Sequence, residues 1–415
     1  SKALLRSARA AAAVRDAGRF GVIVPEGTRV DFPAVMERMR KIRADLSPND
    51  SAARFKGLGV DVFLGEGRFT GRDTLAVGGQ ELRFSKALIA TGGRPAIPAI
   101  PGLGDYLTNE TVFDLRELPA RLCVLGAGPI GCELAQAFAR LGSKVVLIGK
   151  EPRVLPREIP EAAALLEASL RRDGIDLRLG VPVQRIEGRS VVVPGDALPF
   201  DALLLAAGRR PTVEGLGLEA AGVGFDAERG VAVSDRLRTS NPRIYAAGDV
   251  CSRHKHTHAA DALARIVLRN ALFWGGARES ALVVPRCTYT DPEVAHVGLT
   301  EQEAAEKGYP ASVIVQELRE VDRAVLDGED EGFVRIVQGK GRILGCTIVG
   351  ARAGEMIGEA TLAMVAKAGL ATLADTIHPY PTQAAALKRA GDAHNRTRLT
   401  PWARWLLGKW LAWSR

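Results

Sequence analysis

The feature that most narrows what this chain can fold into is the run "VLGAGPIGCE", which sets Gly126, Gly128 and Gly131 in G-x-G-x-x-G spacing. That spacing alone is common. Its context here is not: Leu122 to Leu125 before it read as a buried strand and Ile130 to Leu141 after it as a helix, the setting in which such a loop binds a dinucleotide. Gly126 permits the tight turn, Gly128 lets backbone approach a pyrophosphate, and Gly131 lets the helix lie close on the strand. Ala127, Pro129 and Ile130 complete the loop, and the helix N-terminus offers unpaired N–H groups and a positive dipole end to the anion. A glycine turn with a structural role only is the competing reading, and it leaves the flanking strand and helix as coincidence.

Which dinucleotide binds depends on the end of the next strand, where an acidic residue would hold the ribose diol of NAD. In "KVVLIGKEPR" that place is taken by Gly149, followed by Lys150 and Arg153. Two cations where a 2′-phosphate would lie favour NADP. Glu151 keeps NAD as the alternative, since a small shift of the loop brings a carboxylate to the ribose.

The rest of the chain supplies company for this loop. Lys2 to Ala13 read as a helix, residues 1 to 50 as two helices around "GRFGVIVPEG", and Val60 to Phe84 as a small antiparallel meander of alternating runs. A buried-type strand then ends in "ATGGRP", and the same strand-Gly-x-Arg-Pro pattern returns in "AAGRRP", from Pro95 to Pro211. Two strands that end at a crevice predict two nucleotide-binding domains. Residues 285 to 400 alternate strands with helices and carry no such loop, which fits an interface domain.

At 415 residues the chain has room for about three domains. No stretch of eighteen apolar residues occurs, so no spanning helix is expected, and the first residues lack the basic and apolar regions of a signal peptide. The net charge of +8 is scattered and aromatics make up only 5%, which argues against nucleic acid as a partner. Five cysteines without a close pair point to a reducing cytoplasm.

The ordered set "ATGGRP", "GAGPIGCE", "AAGRRP", "IYAAGDV", "TDPEVAHVGLTE" and "IHPYPTQA" resembles the flavin-dependent pyridine nucleotide-disulfide oxidoreductases, in particular mercuric-reductase-like members related to dihydrolipoamide dehydrogenase. The resemblance covers essentially the whole chain. It implies an α/β fold with two Rossmann-like FAD- and NAD(P)-binding domains and a C-terminal α+β dimerisation domain. The expected division is an FAD domain over 1–115 and 240–284, an NAD(P) domain over 116–239, a dimerisation domain over 285–400 and a Trp-rich helix over 401–415.

In that family the phrase "SKALL" follows a C-x-x-x-x-C-x-P redox motif, itself preceded by an FAD-binding glycine loop, so the chain is expected to start just after that point. No C-x-x-C or C-x-x-x-x-C is found in it, and "GLGVDV" has Val62 where a third glycine would be needed. By resemblance, Lys2 lies near the reactive edge of the flavin and pairs with Glu133. Gly67 and the turn Thr91, Gly92, Gly93 line the adenosine side of FAD, with Gly208 at the matching place in the second copy. Asp249 accepts hydrogen bonds from ribityl or ribose hydroxyls, and Thr257 and His258 stand at a helix N-terminus facing the flavin pyrimidine.

The family implies a homodimer acting on a disulfide or other small-molecule acceptor. Dihydrolipoamide dehydrogenases carry a His and, five residues on, a Glu; here those positions are Tyr380 and Ala385. Tyr380, the candidate catalytic residue, resembles mercuric reductases, and His378 falls two residues early. The C-terminus lacks the Cys pair with which those enzymes hand on metal. Three histidines in "RHKHTH" lack a carboxylate or Cys cluster to complete a metal site.

In "TPWARWLLGKWLAWSR", Trp402, Trp405, Leu406, Trp410 and Trp413 fall on one broad helical face, away from Arg404 and Arg415. That face fits a membrane interface, giving a peripheral membrane contact, or a seat on the protein's own surface. Two functional readings stand: an FAD-dependent reductase using NADPH, of mercuric-reductase or dihydrolipoamide dehydrogenase type, and a truncated or decayed relative that binds NADP(H) without catalysis.

Overall fold

The computed structural model describes residues 1–273 and 275–414. They form two units, Ser1–Lys150 with Val181–Leu282, and Glu151–Gly180 with Val283–Arg415.

In the first unit helix α1 (Lys2–Arg15) packs Leu4, Leu5, Ala8 and Ala12 inward. Helix α2 (Phe32–Leu46) starts at Asp31, whose carboxylate accepts from Ala34 N–H at 3.0 Å, a cap worth about 1 kcal/mol. The meander is shorter than its hydrophobic pattern predicted. Its strands are Arg68–Phe69, Thr74–Val77 and Gln80–Arg83, and residues 60–67 stay irregular, with Gly65 at φ +138° where an extended strand cannot continue.

Strands β1 (Ala87–Ile89) and β2 (Gly93–Pro95) come next, then β3 (Arg121–Leu125), helix α3 (Pro129–Leu141) and β4 (Lys144–Gly149). After a second small meander over 185–199 the chain adds β5 (Ala202–Leu205), β6 (Arg209–Pro211), β7 (Ile244–Ala246) and helix α4 (Thr257–Leu272). β5 and β4 flank β3 in parallel register. Parallel strands are covered on both faces and so read as unbroken apolar runs, which is why "RLCVL" and "ALLL" are almost wholly buried. Helix α3 begins at Pro129, where a missing N–H costs nothing, and stops at Gly142 in the left-handed conformation.

β1 pairs with β7 in parallel. β2 pairs with β6 antiparallel, Gly93 opposite Pro211, Arg94 opposite Arg210 and Pro95 opposite Arg209. The two Gly-x-Arg-Pro copies are therefore partners in one ladder.

In the second unit, β8 (Arg286–Thr288), β9 (Glu293–Gly298), β10 (Ser312–Glu317), β11 (Phe333–Gly339) and β12 (Arg342–Gly350) form an antiparallel sheet in the order β8-β9-β12-β11-β10. Helices α5 (Ala353–Val365) and α6 (Ala385–Thr397) cover it, burying Ile357, Ala360 and Leu387 with Ile336 and Ile348. Contacts group Glu151–Gly180 with this sheet, whereas the sequence expectation kept that stretch within 116–239. Ion pairs join the two segments: Arg286 Nε to Glu158 at 2.7 Å and Arg335 Nη1 to Glu161 at 3.2 Å.

The chain closes on helix α7 (Pro401–Trp413), capped by the Thr400 hydroxyl accepting from Ala403 N–H. Every residue of α7 is exposed or half-exposed. Leu407 and Leu411 are bare as well as the expected tryptophans, so the apolar surface is wider than the single face read from sequence. Arg415 lies outside the described residues.

Candidate functional site

The glycines of the loop separate into two kinds. A Cβ on Gly131 would sit 1.8 Å from the carbonyl oxygen of Gly126, and one on Gly126, at φ +117°, would sit 2.3 Å from that of Ala206. Both are required by the fold itself. Gly128 has extended backbone, φ −80° and ψ −175°, open to any residue, and a Cβ there would meet nothing within 4 Å. The space beside it fits a group approaching the first turn of α3, where Pro129, Ile130 and Gly131 follow and Ala127 is buried beneath. A pyrophosphate has the charge to use the N–H groups of that turn.

At the end of β4, Gly149 is buried and its carbonyl accepts from Val181 N–H at 3.2 Å. Lys150 is exposed and has no hydrogen-bond or ion-pair partner among the described residues. Arg153 belongs to the second unit, where its Nη2 donates to Pro156 O at 3.2 Å.

A second glycine turn lies beyond β1 in the same unit. Thr91 Oγ1 donates to Thr212 O at 2.8 Å, and Gly92 turns the chain at φ +69° with open space beside it. A Cβ on Gly93 would press on Arg210 O at 2.8 Å and on Asp249 Cβ at 3.3 Å. Gly67 stands elsewhere in this unit, where an added Cβ would meet Leu75 Cδ1 at an ordinary 3.8 Å; nothing around it demands glycine.

Asp249 is held by a residue the sequence reading did not single out. Arg209 Nε donates to Asp249 Oδ2 at 2.9 Å and its Nη2 donates to Gly93 O. One carboxylate oxygen is thus taken by a guanidinium, and Oδ1 has no partner among the described residues, leaving an acceptor for a hydroxyl. The only signal for Arg209 was its place in the repeated motif. Lys255 Nζ donates to Arg209 O at 2.6 Å. Thr257 opens α4, and the rings of His256 and His258 stack there at 5.3 Å.

Residues 206–211 join the two glycine turns. Ala206 lies under Gly126, Gly208, at φ +124° in open space, accepts from Ala96 N–H at 2.9 Å, and Arg209 reaches Asp249. From the other side Lys2 Nζ meets Glu133 Oε2 at 2.7 Å, which ties the start of α1 to the helix behind the glycine loop. Glu133 is buried and Lys2 is half-exposed.

Tyr380, in the second unit, is 77% exposed. Its hydroxyl donates to Asp322 Oδ2 at 3.0 Å, while Arg389 donates to Asp322 Oδ1 at 3.0 Å. The hydrogen bond to that carboxylate, and then its charge, push the phenol above its ordinary range. His378 has both ring nitrogens engaged, Nε2 with Glu359 Oε1 at 3.0 Å and Nδ1 with Thr376 O at 3.1 Å; it fastens the chain ahead of Tyr380. Burial pushes the thiols of Cys123, Cys251 and Cys346 up to about 12, so none of the three supplies a thiolate at neutral pH.

A cavity of about 1220 Å³ between α1, α2 and residues 18–31 is lined by Arg6, Arg15, Arg29, Arg38 and Arg140 among apolar side chains, and by none of the predicted site residues.

Two family models match the chain: pyridine nucleotide-disulphide oxidoreductase over residues 2–264, and the dimerisation domain of the same family over 284–390. A mercuric reductase of Staphylococcus aureus is 38% identical over 344 residues, covering 80% of this chain and 63% of its own length. A dihydrolipoyl dehydrogenase of Thermus scotoductus is 36% identical, covering 82% and 77% respectively. Among solved structures, the HOCl-induced flavoprotein disulfide reductase RclA from Escherichia coli superposes with a TM-score of 0.83 at 28% identity, over 94% of this chain and 88% of that one.

Proposed function

The chain belongs to the pyridine nucleotide-disulphide oxidoreductase family, and from that premise we propose that it passes reducing equivalents from NADPH through FAD to a disulfide or related small acceptor. It works as a cytoplasmic homodimer, with α7 touching a membrane surface. When bound, nicotinamide and isoalloxazine supply the hydride chemistry.

What supports this reading is the link between the two glycine turns within one unit, along Ala206 to Pro211 and the β2–β6 ladder. Around the first, the α3 N-terminus and the open flank of Gly128 would bind the NADPH diphosphate, and Lys150 would neutralise the 2′-phosphate. Around the second, Thr91, Gly92 and Gly93 let backbone approach the FAD adenosine, and Asp249, steadied by Arg209, offers Oδ1 to a hydroxyl. Lys2, kept in place by Glu133, would hold a positive charge toward bound FAD. The N-terminus of α4, at Thr257 and His258, adds the end of a dipole of the same sign. Tyr380 serves the acceptor.

A second reading is an NADP-binding module without catalysis, and the observation on its side is that the buried thiols of Cys123 and Cys346 stay protonated. Spectroscopy of the purified protein separates the two. Visible flavin absorbance bleached by NADPH supports the reductase, and a colourless protein that still binds NADPH overturns it in favour of the module.

A further inference from the structure

Helix α7 presents chemistry that the redox reading leaves unused. Four of the chain's five tryptophans lie in it, exposed by 58% to 86%. At about 100° per residue, Trp402, Trp413, Leu406, Trp410, Leu407 and Leu411 occupy one half of its circumference. Arg404 falls at one edge of that half. Lys409 falls at the other, its Nζ 5.8 Å from the centre of the Trp405 ring.

The charge around it is of one sign. After Asp392 the sequence holds no acidic residue, and Arg396, Arg398, Arg404, Lys409 and Arg415 are all cations. At about 1.5 Å per residue the thirteen residues of α7 reach about 20 Å, short of the ~30 Å hydrocarbon core of a bilayer. No described helix is long and apolar enough to cross a membrane. A helix of this length with a half-cylinder of Trp and Leu between two basic edges suits the plane of a lipid interface, where indole rings sit at headgroup depth and cations reach phosphates.

We propose that α7 lies flat in the headgroup layer of a bilayer rich in anionic phospholipid, its Trp402–Trp410–Leu411 side toward the acyl chains and Arg404 and Lys409 on the lipid phosphates. This deepens the membrane contact proposed above and rests on it, independently of the redox chemistry.

The test is co-sedimentation of the full chain with phosphatidylcholine vesicles, and with vesicles in which about one-third of the lipid is phosphatidylglycerol. Tryptophan fluorescence is followed at the same time. Binding to the anionic vesicles with a blue shift is expected. The double variant Arg404→Gln with Lys409→Gln should bind them about twenty-five-fold more weakly, at roughly fivefold per surface cation. Trp402→Ser with Trp410→Ser and Trp413→Ser should abolish the blue shift.

Equal binding to neutral vesicles overturns the anionic preference and leaves the membrane contact standing. Binding to neither overturns both. If deletion of 401–415 instead lowers the oligomeric state in sedimentation velocity, with lipid binding absent, α7 seats on a second copy of this chain and the inference is wrong.

Discussion

The two glycine turns of the first unit solve one problem by different means. The glycine loop is shaped by steric necessity: Gly126 and Gly131 are fixed because backbone oxygens stand 2.3 and 1.8 Å from where a side chain would begin. The turn at 91–93 has one such fixed point, Gly93, whose side chain would begin 2.8 Å from Arg210 O, and is otherwise held by polar side chains, with Arg209 holding Asp249 and the carbonyl of Gly93 together. A turn built on absent atoms tolerates no substitution at its fixed points. One built on hydrogen bonds loosens by degrees.

That contrast is open to direct attack. Gly131→Val should cost about 3 kcal/mol or more, since the obstructing atom is backbone and cannot move aside; a large drop in melting temperature or in soluble yield checks it. Arg209→Ala should cost about 2 kcal/mol, the scale of a lost charge-assisted hydrogen bond in a partly buried place, read from chemical denaturation. If the two losses were equal, the distinction drawn here would be empty.

Gly128→Ala sharpens the comparison from inside the loop. Stability should hold within about 0.5 kcal/mol, as for a substitution that meets open space, while NADPH affinity falls at least about tenfold in a binding titration because the new methyl stands where a phosphate would approach. Lys150→Glu should lower kcat/KM for NADPH about fivefold more than for NADH. Equal losses would remove the 2′-phosphate assignment.

The smallest effect lies outside both turns and serves as a control. His296 is buried in the second unit, its ring nitrogens facing Thr347 Oγ1 at 2.8 Å and Gly298 O at 3.1 Å. Burial, and next the charge of Arg286, hold its pKa below the ordinary 6.5. The fold therefore favours the neutral ring, so stability is intact above pH 6.5 and declines as pH falls through the lower folded-state value. Thermal melts from pH 7 downward should show this decline, and His296→Gln should flatten it without altering NADPH binding.

Sequence legibility follows the same division. The glycine loop could be read because its constraints act over six residues and leave a spacing in the chain. Lys2 and Glu133 sit 131 positions apart, and only resemblance joined them. Arg209 and Asp249 were hidden for a related reason: which arginine of "GRRP" turns toward the aspartate is decided by the strand ladder and leaves no local trace. The grouping of Glu151–Gly180 with the second sheet also escaped, because ion pairs such as Arg286 with Glu158 join segments more than a hundred residues apart. Alternation overran the first meander, since period-two patterning says nothing of the glycine that stops the strand at 65.

The β2–β6 ladder has a consequence for how such a molecule can change over time. Three residue pairs fix its register, and slipping an antiparallel pair by one residue turns every side chain to the opposite face. A single-codon deletion between Leu205 and Arg209 would therefore swing the guanidinium away from Asp249 and drag Ala206 off the glycine loop at once. Lineages carrying this ladder should vary at 207 while keeping Gly208, which sits at φ +124°, and above all the length of 206–208, a signature that can be sought by counting gaps as well as identities.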